Sequence, residues 1–207
     1  ITKQLPANIK KTEPDIFKHK IAVSEMSVDF PVQIYTYVIP APAVGHPDYH
    51  AFNLLKELLI SNQNSFLKKR LINTNYAYDV GGAQQPDRLY SNFLLLDVVM
   101  NAQVGNARVK KEIQKEINGI IKEGIEEKEI ESYLRNLDTR RQFSNYSNSA
   151  LSAQLGFAEY YYNDYKQYDA AREAYQKMKS KDLEKIARKY FDPESLQVIN
   201  VKPLETE

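Results

Sequence analysis

The stretch GHPDYHAFNLLKELLISNQNSFLKKRLINTNYAYDVGG, residues 45–82, contains two helix patterns and one strand pattern in close succession. It opens with Gly-His-Pro-Asp, which is typical of a helix start because proline fits the first helical turn and an acid there meets the positive end of the helix dipole. Apolar residues then recur at helical spacing, at Phe52, Leu54, Leu55, Leu58 and Leu59. This spacing predicts a helix with one face buried in a core.

The second half of the stretch predicts a short helix followed by a strand. Residues 61–64 are polar and interrupt the first helix, and Ser65 is a candidate N-cap for the second. The second helix is predicted to turn four apolar residues inward: Phe66, Leu67, Leu71 and Ile72. Tyr76, Tyr78 and Val80 then alternate with other residues, as in a strand, and Gly81-Gly82 is expected to end or bulge it.

Composition excludes several classes of function. The 207 residues include 28 basic and 27 acidic side chains, so a net charge of +1 gives no sign of a nucleic-acid partner. There is no cysteine, which rules out disulfides and thiolate metal sites. No apolar run approaches the roughly 20 residues that a membrane-spanning helix needs. Because the chain begins with Ile1 and not methionine, we expect it to derive from a longer precursor.

The remaining elements can be placed around residues 45–82. Upstream, residues 17–30 predict a strand with a bulge near Ser24-Glu25, and residues 32–39, apolar on both faces, predict a strand that is covered on both. Downstream, residues 89–100 predict a strand antiparallel to the Tyr76 strand. Four helical regions follow, beginning at Asn106, Glu126, Ala150 and Tyr168, the last split by a cap-like Ser180, and residues 196–201 predict a closing strand.

This order of elements predicts the fold class and the domain limits. Strands joined by short turns and helices grouped in runs favour an α+β fold. We expect a two-layer domain in which a mostly antiparallel sheet of about five strands packs against a group of helices. Residues 1–16 are predicted to be a linker or arm, residues 17–203 the domain, and residues 204–207 a tail.

Two groups of side chains invite a functional interpretation that has a structural alternative. His46 and His50 are four residues apart and could share a helix face to bind a metal, but no third ligand is visible, which favours a structural role. The cluster Tyr160-Tyr161-Tyr162 could form an aromatic wall of a chamber, or could simply pack in the core and on the surface.

Several strings occur in an order that is specific even though each alone is weak. They are Phe30-Pro31-Val32 before a strand ending in Ile39-Pro40, Asp48-Tyr49-His50-Ala51 before Leu58-Leu59, Ser65-Phe66-Leu67 before Leu71-Ile72, Ala77-Tyr78-Asp79-Val80, Gly124-Ile125 before Glu129-Ile130, and Arg188 to Ser195. Together they resemble one domain of the insulinase/pitrilysin family of zinc metallopeptidases. The resemblance covers residues 17–203.

The resemblance also indicates which half of such a peptidase this is. Active members carry H-x-x-E-H, which supplies two zinc ligands and a glutamate base. This chain has only His19, His46 and His50, and none stands in that pattern. The resemblance therefore implies the inactive, C-terminal-type domain, with no catalytic residue, metal or cofactor of its own. Zinc is expected in a partner H-x-x-E-H domain, on the same chain or on a separate subunit.

Two side chains are candidates for contact with a peptide substrate. In the family, the inactive half contributes an arginine and a tyrosine that reach the substrate carbonyl in the catalytic half. Tyr78 matches the tyrosine position, whereas the arginine position falls on Ile72 and the nearest arginine is Arg70. The resemblance thus implies Tyr78 and Arg70 as substrate-binding residues that act in trans.

Two functions follow from the resemblance. In the first, the chain is the non-catalytic half of a zinc metalloendopeptidase, closing the chamber and holding peptide for the H-x-x-E-H half. In the alternative, the same fold is a structural or assembly subunit with no role in proteolysis. We expect a periplasmic or cell-envelope location in a bacterium, with the cytoplasm or an organellar matrix as the alternative.

Overall fold

The structure is a computed structural model that describes residues 23–28, 33–84, 92–101, 103–192 and 197–203. The predicted arm (1–16), the tail (204–207) and the first part of the predicted first strand (17–22) lie outside these ranges. The strands are β1 (Val23–Val28), β2 (Gln33–Ala41), β3 (Ala77–Gln84), β4 (Asn92–Met100) and β5 (Gln197–Pro203). The α-helices are α1 (Tyr49–Lys56), α2 (Phe66–Ile72), α3 (Asn106–Glu123), α4 (Glu127–Asn145), α5 (Asn148–Tyr162), α6 (Ala170–Lys177) and α7 (Ser180–Tyr190).

The five strands form one sheet in the order β1-β5-β2-β4-β3. Only β1 and β5 run parallel, and the other three pairs are antiparallel. The helices α1, α2, α3 and α7 supply apolar residues to the same core cluster as β2, β3 and β4. The predicted α+β class and the mostly antiparallel sheet are therefore confirmed. No described helix combines the length and the apolar character that crossing a bilayer requires.

The two faces of the sheet differ in burial. On the helix-covered face, Tyr37 and Ile39 of β2 and Leu94 and Leu96 of β4 are completely buried. On the other face, most alternate residues of the same strands are half-buried, although Thr36 and Pro40 are buried. The prediction that residues 32–39 are covered on both faces was wrong within the described residues, because the helices bury one face only. We call the opposite face the open face; it carries Ile34, Val38, Phe93, Leu95, Val99, Ile199 and Val201.

The first and last helices meet through aromatic side chains. Phe52 of α1 stacks on Phe191, which follows α7, with ring centroids 5.4 Å apart, and meets the edge of Tyr190 at the same distance. Asp48, which precedes α1, accepts hydrogen bonds from Lys189 and Tyr190, each at 2.8 Å. These contacts join the start of α1 to the end of α7 and explain the cluster of aromatic residues near residue 190.

A π-helical turn, Glu57–Ser61, extends α1. It buries three consecutive apolar residues, Leu58, Leu59 and Ile60, which a regular α-helix could not all direct to one side. Ser65 stands at the N-cap of α2 as predicted, but its hydroxyl donates to the Ile60 carbonyl at 2.9 Å and makes no capping hydrogen bond. The wide turn leaves that carbonyl without its helical partner, so the serine closes the preceding turn.

Three further predictions were wrong in detail. The β1–β5 ladder is continuous from Val23 to Val28, so there is no bulge near Ser24-Glu25. Ile72 is 37% exposed because it lies at the last position of α2. Ser180 is the first residue of α7, and its hydroxyl accepts from the Ile125 backbone N–H at 2.9 Å, so it links α7 to the α3–α4 connection and does not cap its own helix.

Candidate functional site

The connection from α2 to β3 positions the predicted substrate-facing residues. Asn75 adopts a left-handed conformation, with φ of 58°, and turns the chain back toward the sheet. The Tyr76 backbone N–H donates to the Leu71 carbonyl at 2.8 Å, and the Asn101 side-chain amide donates to the Asn75 carbonyl at 3.2 Å. Because the carbonyls at the end of α2 and in the turn have partners, the start of β3 has a fixed position relative to α2.

Tyr78 is the extra residue of a β-bulge at the start of β3. Ala77 pairs with Met100 and Asp79 pairs with Val99, so β3 advances by two residues where β4 advances by one. A bulged residue leaves the ladder and changes the direction of its side chain. The Tyr78 side chain is accordingly 60% exposed, whereas Ala77 and Val80 beside it are buried. The expected simple alternation therefore breaks at Tyr78.

The glycine pair has a different role from the one predicted. The strand continues through Gly81 and Gly82 to Gln84, so the pair does not end it, and the bulge lies earlier. A Cβ atom on Gly82 would lie 2.9 Å from Ile60 Cγ2 and 3.3 Å from Leu94 Cδ1. Gly82 is therefore required for close packing against the π-helical turn, whereas a Cβ on Gly81 would meet no atom within 4 Å.

Arg70 is bound to a carboxylate on the neighbouring helix. Its Nε and Nη2 both lie 2.6 Å from Oε2 of Glu112 on α3. The basic residue of α2 that reaches β3 is Lys68, whose Nζ lies 3.9 Å from Oδ1 of Asp79. Residues two apart on a helix point in opposite directions, so Arg70 and Lys68 face different neighbours. The structure shows no contact between Arg70 and Tyr78.

The open face contains a polar pair that the sequence reasoning missed. The Thr36 hydroxyl donates to Oδ1 of Asp97 at 2.6 Å across the β2–β4 ladder, where the two residues are direct partners. On the β3 side, the partner of Asp97 is Gly81. Because glycine has no side chain, this partner leaves the carboxylate uncovered. A signal existed in the sequence: Asp97 is the single charged residue in the apolar run FLLLDVVM.

His46 and His50, for which the sequence favoured a structural role over a metal site, do not share a helix face. His46 precedes α1, and its Nδ1 accepts from the Asp48 backbone N–H at 3.0 Å. His50 lies within α1 and packs among aromatic rings, with centroids 5.4 Å from Tyr49 and 6.2 Å from Tyr175. Burial lowers the pKa of His50, which favours the neutral ring. In the described ranges, no group of three metal-ligating side chains comes together.

The tyrosine cluster of α5 divides between surface and packing positions. Tyr160 is 53% exposed, Tyr161 lies against Phe157 with ring centroids 4.4 Å apart, and Tyr162 lies 6.4 Å from the ring of His50. This agrees with the structural interpretation of the cluster.

A comparison with family models decides the family. The family described as "Peptidase M16 inactive domain" matches residues 2–137, well over half of the chain. The chain belongs to this family. The M16 inactive domain is by definition the half without peptidase activity, so this chain is not a peptidase by itself. The resemblance to the inactive domain of the insulinase/pitrilysin family is thereby confirmed. No curated protein matches the chain.

Solved structures share the fold of this M16 inactive domain at low sequence identity. A protease from Helicobacter pylori has 20% identity and a TM-score of 0.80, and the match covers 93% of this chain but only 46% of that one. The inactive peptidase domain of a candidate zinc protease from Bordetella parapertussis has 15% identity and a TM-score of 0.72, with 88% and 96% coverage. The periplasmic protease PqqL from Escherichia coli has 15% identity and a TM-score of 0.69, with 89% and 21% coverage. The chain thus spans less than half of the H. pylori protease and nearly all of the isolated inactive domain.

Proposed function

We propose that this chain is the non-catalytic half of a zinc metalloendopeptidase, which closes a chamber over the catalytic H-x-x-E-H half and helps to hold the peptide. The observation that carries the proposal is Tyr78, which is 60% exposed on a bulge at the sheet edge of an inactive peptidase domain. A bulge at a sheet edge is a common means of directing a side chain toward a site.

The open face supports the chamber-closing part of the proposal. Its residues Ile34, Val38, Leu95 and Val99 are apolar and half-buried, and the helices cover only the opposite face. An apolar sheet face is stabilised when a second layer removes it from water. In the proposed assembly the open face lies toward the interior, where it bounds the space that holds an extended peptide.

The chemistry of Tyr78 suits the proposed contact with substrate. A phenol hydroxyl is a hydrogen-bond donor and can point at a carbonyl oxygen. A donor placed where negative charge develops on that oxygen lowers the barrier to attack by zinc-bound water in the partner. In this proposal the zinc and its ligands belong to the partner, and Tyr78 supplies only the hydrogen bond.

The proposed contact of Arg70 with substrate requires a change in its present ion pair. Both of its contacting nitrogens now bind Glu112, so the guanidinium reaches a substrate only if that pair opens. Removal of the carboxylate should therefore promote any role of Arg70 in trans. If Arg70 assists catalysis, Glu112→Gln should increase peptide cleavage by the complex, and Arg70→Gln should abolish the increase.

The test of the central proposal is a Tyr78→Phe substitution in the complete two-part protein. We expect kcat/KM for a test peptide to fall about 10-fold or more, since loss of one such donor costs 10²–10³ where it acts fully. Tyr160→Phe removes a hydroxyl that is similarly exposed, on α5, and should leave activity unchanged. Unfolding temperatures should match wild type for both variants.

The same experiment separates the proposal from the scaffold alternative. If the chain only supports assembly, Tyr78→Phe should leave every activity of the assembled complex unchanged. Equal activity of Tyr78→Phe and wild type, with the complex intact, would therefore contradict the role of Tyr78 in holding substrate.

For location we propose the periplasm or cell envelope of a bacterium, in preference to the cytoplasm or an organellar matrix. The support is the shared fold with PqqL, a periplasmic protease. Fractionation of the native host with an antibody against this chain tests it, and recovery in the cytosolic fraction alone would contradict it.

A further inference from the structure

We infer that a cavity between α1, α4 and α6, on the helical side of the domain, binds a compact anion that carries carboxylate or phosphate groups. We call it the arginine–tyrosine cavity. Its volume is about 570 Å³, which lies within the usual range of small-molecule sites, roughly 300–1,000 Å³. This inference is independent of the function proposed for Tyr78, which does not line the cavity.

Basic side chains from three helices converge on the cavity. Its walls include Lys56 from α1, Arg140 and Arg141 from α4, and Arg172 from α6, whereas Glu57 is the single carboxylate among the lining residues. Lys56 Nζ lies 3.7 Å from Oε1 of Glu57, so these two charges largely cancel and the positive charge of the walls comes from the three arginines. Guanidinium groups are well suited to planar or tetrahedral oxyanions because they offer several donors in a fixed geometry.

Two of the arginines also have carboxylate partners behind the wall. Arg141 forms an ion pair with Asp169 through Nη1, and Arg172 Nε lies 2.6 Å from Oδ1 of Asp138. These pairs reduce the local charge but hold both guanidinium groups in place. Rigid donors lose less conformational entropy when they bind a ligand than mobile side chains do.

One donor of Arg141 is left without a partner. Its Nη2 is buried and makes no hydrogen bond in the structure. A buried donor of a charged group that lacks an acceptor is costly, and such groups are rare in folded proteins. Oδ1 of Asp169, which contacts Nη1, also makes no regular hydrogen bond. Arg141 is part of the cavity wall, so an oxyanion that enters beside it could accept from Nη2 while Asp169 keeps its contact with Nη1.

Arg140 is available to the ligand in a different way. Its guanidinium carbon lies 5.8 Å above the ring of Tyr133, and no ion pair with a described carboxylate accompanies this contact. This stacking places the positive charge of Arg140 beside the cavity, and the outer edge of the guanidinium group faces solvent. We expect Arg140 to contribute a large part of the affinity for an anion.

Tyrosines supply neutral donors and a flat apolar wall. Tyr49, Tyr133 and Tyr175 line the cavity. Burial raises the pKa of Tyr175 far above its ordinary value, and burial together with nearby Glu57 does the same for Tyr133. Both phenols therefore keep their protons at neutral pH. The Tyr133 hydroxyl donates to Oε2 of Glu57 at 3.5 Å, so Tyr175 is the phenol that can donate to an anion. The combination suits an oxyanion on a compact organic skeleton.

The test is titration of the full-length protein with two probes, citrate and inorganic phosphate, by calorimetry at constant ionic strength maintained with sodium chloride. We expect saturable 1:1 binding of at least one probe with Kd below about 1 mM. Citrate binding would identify a carboxylate site and phosphate binding a phosphate site. If neither probe shows saturable binding at concentrations up to about 10 mM, the inference is overturned.

Matched variants place the binding in the cavity. Arg140→Gln should weaken binding at least 10-fold, a loss of about 1.4 kcal/mol. Arg135→Gln, which removes an arginine of α4 whose pair with Glu131 is exposed, should leave it unchanged. Lys56→Gln tests the opposite wall if Arg140→Gln unfolds. Equal affinities for wild type and both cavity variants would show that the anion binds elsewhere and would refute the inference.

Discussion

The hydroxyl of Tyr190 donates a hydrogen bond of 2.8 Å to Oδ2 of Asp48. The same oxygen accepts from Lys189 Nζ at 2.8 Å, so one carboxylate holds two consecutive residues at the end of α7. Burial opposes ionisation of Asp48, but the hydrogen bonds from Lys189 and Tyr190 outweigh it, and its pKa is lowered from the ordinary value of 3.8. The contact between the first and last helices therefore depends on a charged aspartate.

We predict that Asp48→Asn destabilises the protein by about 1–3 kcal/mol, because a charge-assisted acceptor for two donors is lost. Tyr190→Phe should cost about 1 kcal/mol, since Lys189 keeps its partner. The free energy of unfolding in urea measures both. Glu131→Gln removes an exposed carboxylate and should change stability by less than about 0.5 kcal/mol. Equal stability of Asp48→Asn and wild type would contradict the role of this contact.

The same aspartate predicts a pH dependence with a definite sign. Because the pKa of Asp48 is lower in the folded state than in the unfolded state, its contribution is present above pH 3.8 and is lost as pH falls through the lower, folded value. The stability difference between wild type and Asp48→Asn should be constant near neutral pH and shrink below pH 3.8. Unfolding curves at intervals between about pH 7 and pH 2.5 measure it. A difference that grows on acidification would be the wrong sign.

We predict opposite outcomes for the two glycines of β3. Gly82→Ala should destabilise by about 1–3 kcal/mol, because its Cβ would lie 2.9 Å from Cγ2 of Ile60, a side chain that is itself completely buried. Gly81→Ala meets no atom within 4 Å and should be neutral or slightly stabilising. The unfolding temperatures of the two variants distinguish a steric conflict at Gly82 from a general effect of adding a side chain to this strand. Similar melting temperatures for the two variants would contradict the packing argument.

A second glycine comparison concerns α3. Gly124 ends the helix with φ of 75°, and a Cβ there would meet Ser180 Oγ, so Gly124→Ala should cost about 1–2 kcal/mol. Gly119 lies inside the same helix with no atom near its missing Cβ, and Gly119→Ala should stabilise by about 0.5–1 kcal/mol. The free energy of unfolding in urea separates the two. A stabilising Gly124→Ala would show that the positive φ angle is not required.

Periodicity predicted those parts of the fold in which side chains alternate between core and solvent. In α3, Val109, Ile113 and Ile117 recur at helical spacing and are all buried, and Gly124 ends the helix as expected. In β4, alternate residues from Asn92 to Met100 are buried. Such elements form because one face of the helix or strand is buried. The spacing of apolar residues along the sequence is enough to identify that face.

The candidate site was harder to predict because it depends on departures from regular geometry. Alternation through Tyr76, Ala77 and Tyr78 gave no indication that one residue would bulge, since the register with β4 determines the bulge. The position of Gly82 against Ile60 depends on a π-helical turn that has no simple periodic signature. The ion pairs of Arg70 and Lys68 likewise depend on which neighbour each helix face meets.

The order of strands has a consequence for how the chain folds. β5 lies between β1 and β2, and its register places Val198 beside Val23 and Tyr37. Until the last of the described strands has emerged from the ribosome, β1 has no hydrogen-bonding neighbour in this sheet and one side of β2 is bare. Pairings so distant along the chain form slowly. During translation, the helices can assemble early with β2, β3 and β4, in which β4 lies between the other two strands, and the insertion of β5 completes the sheet.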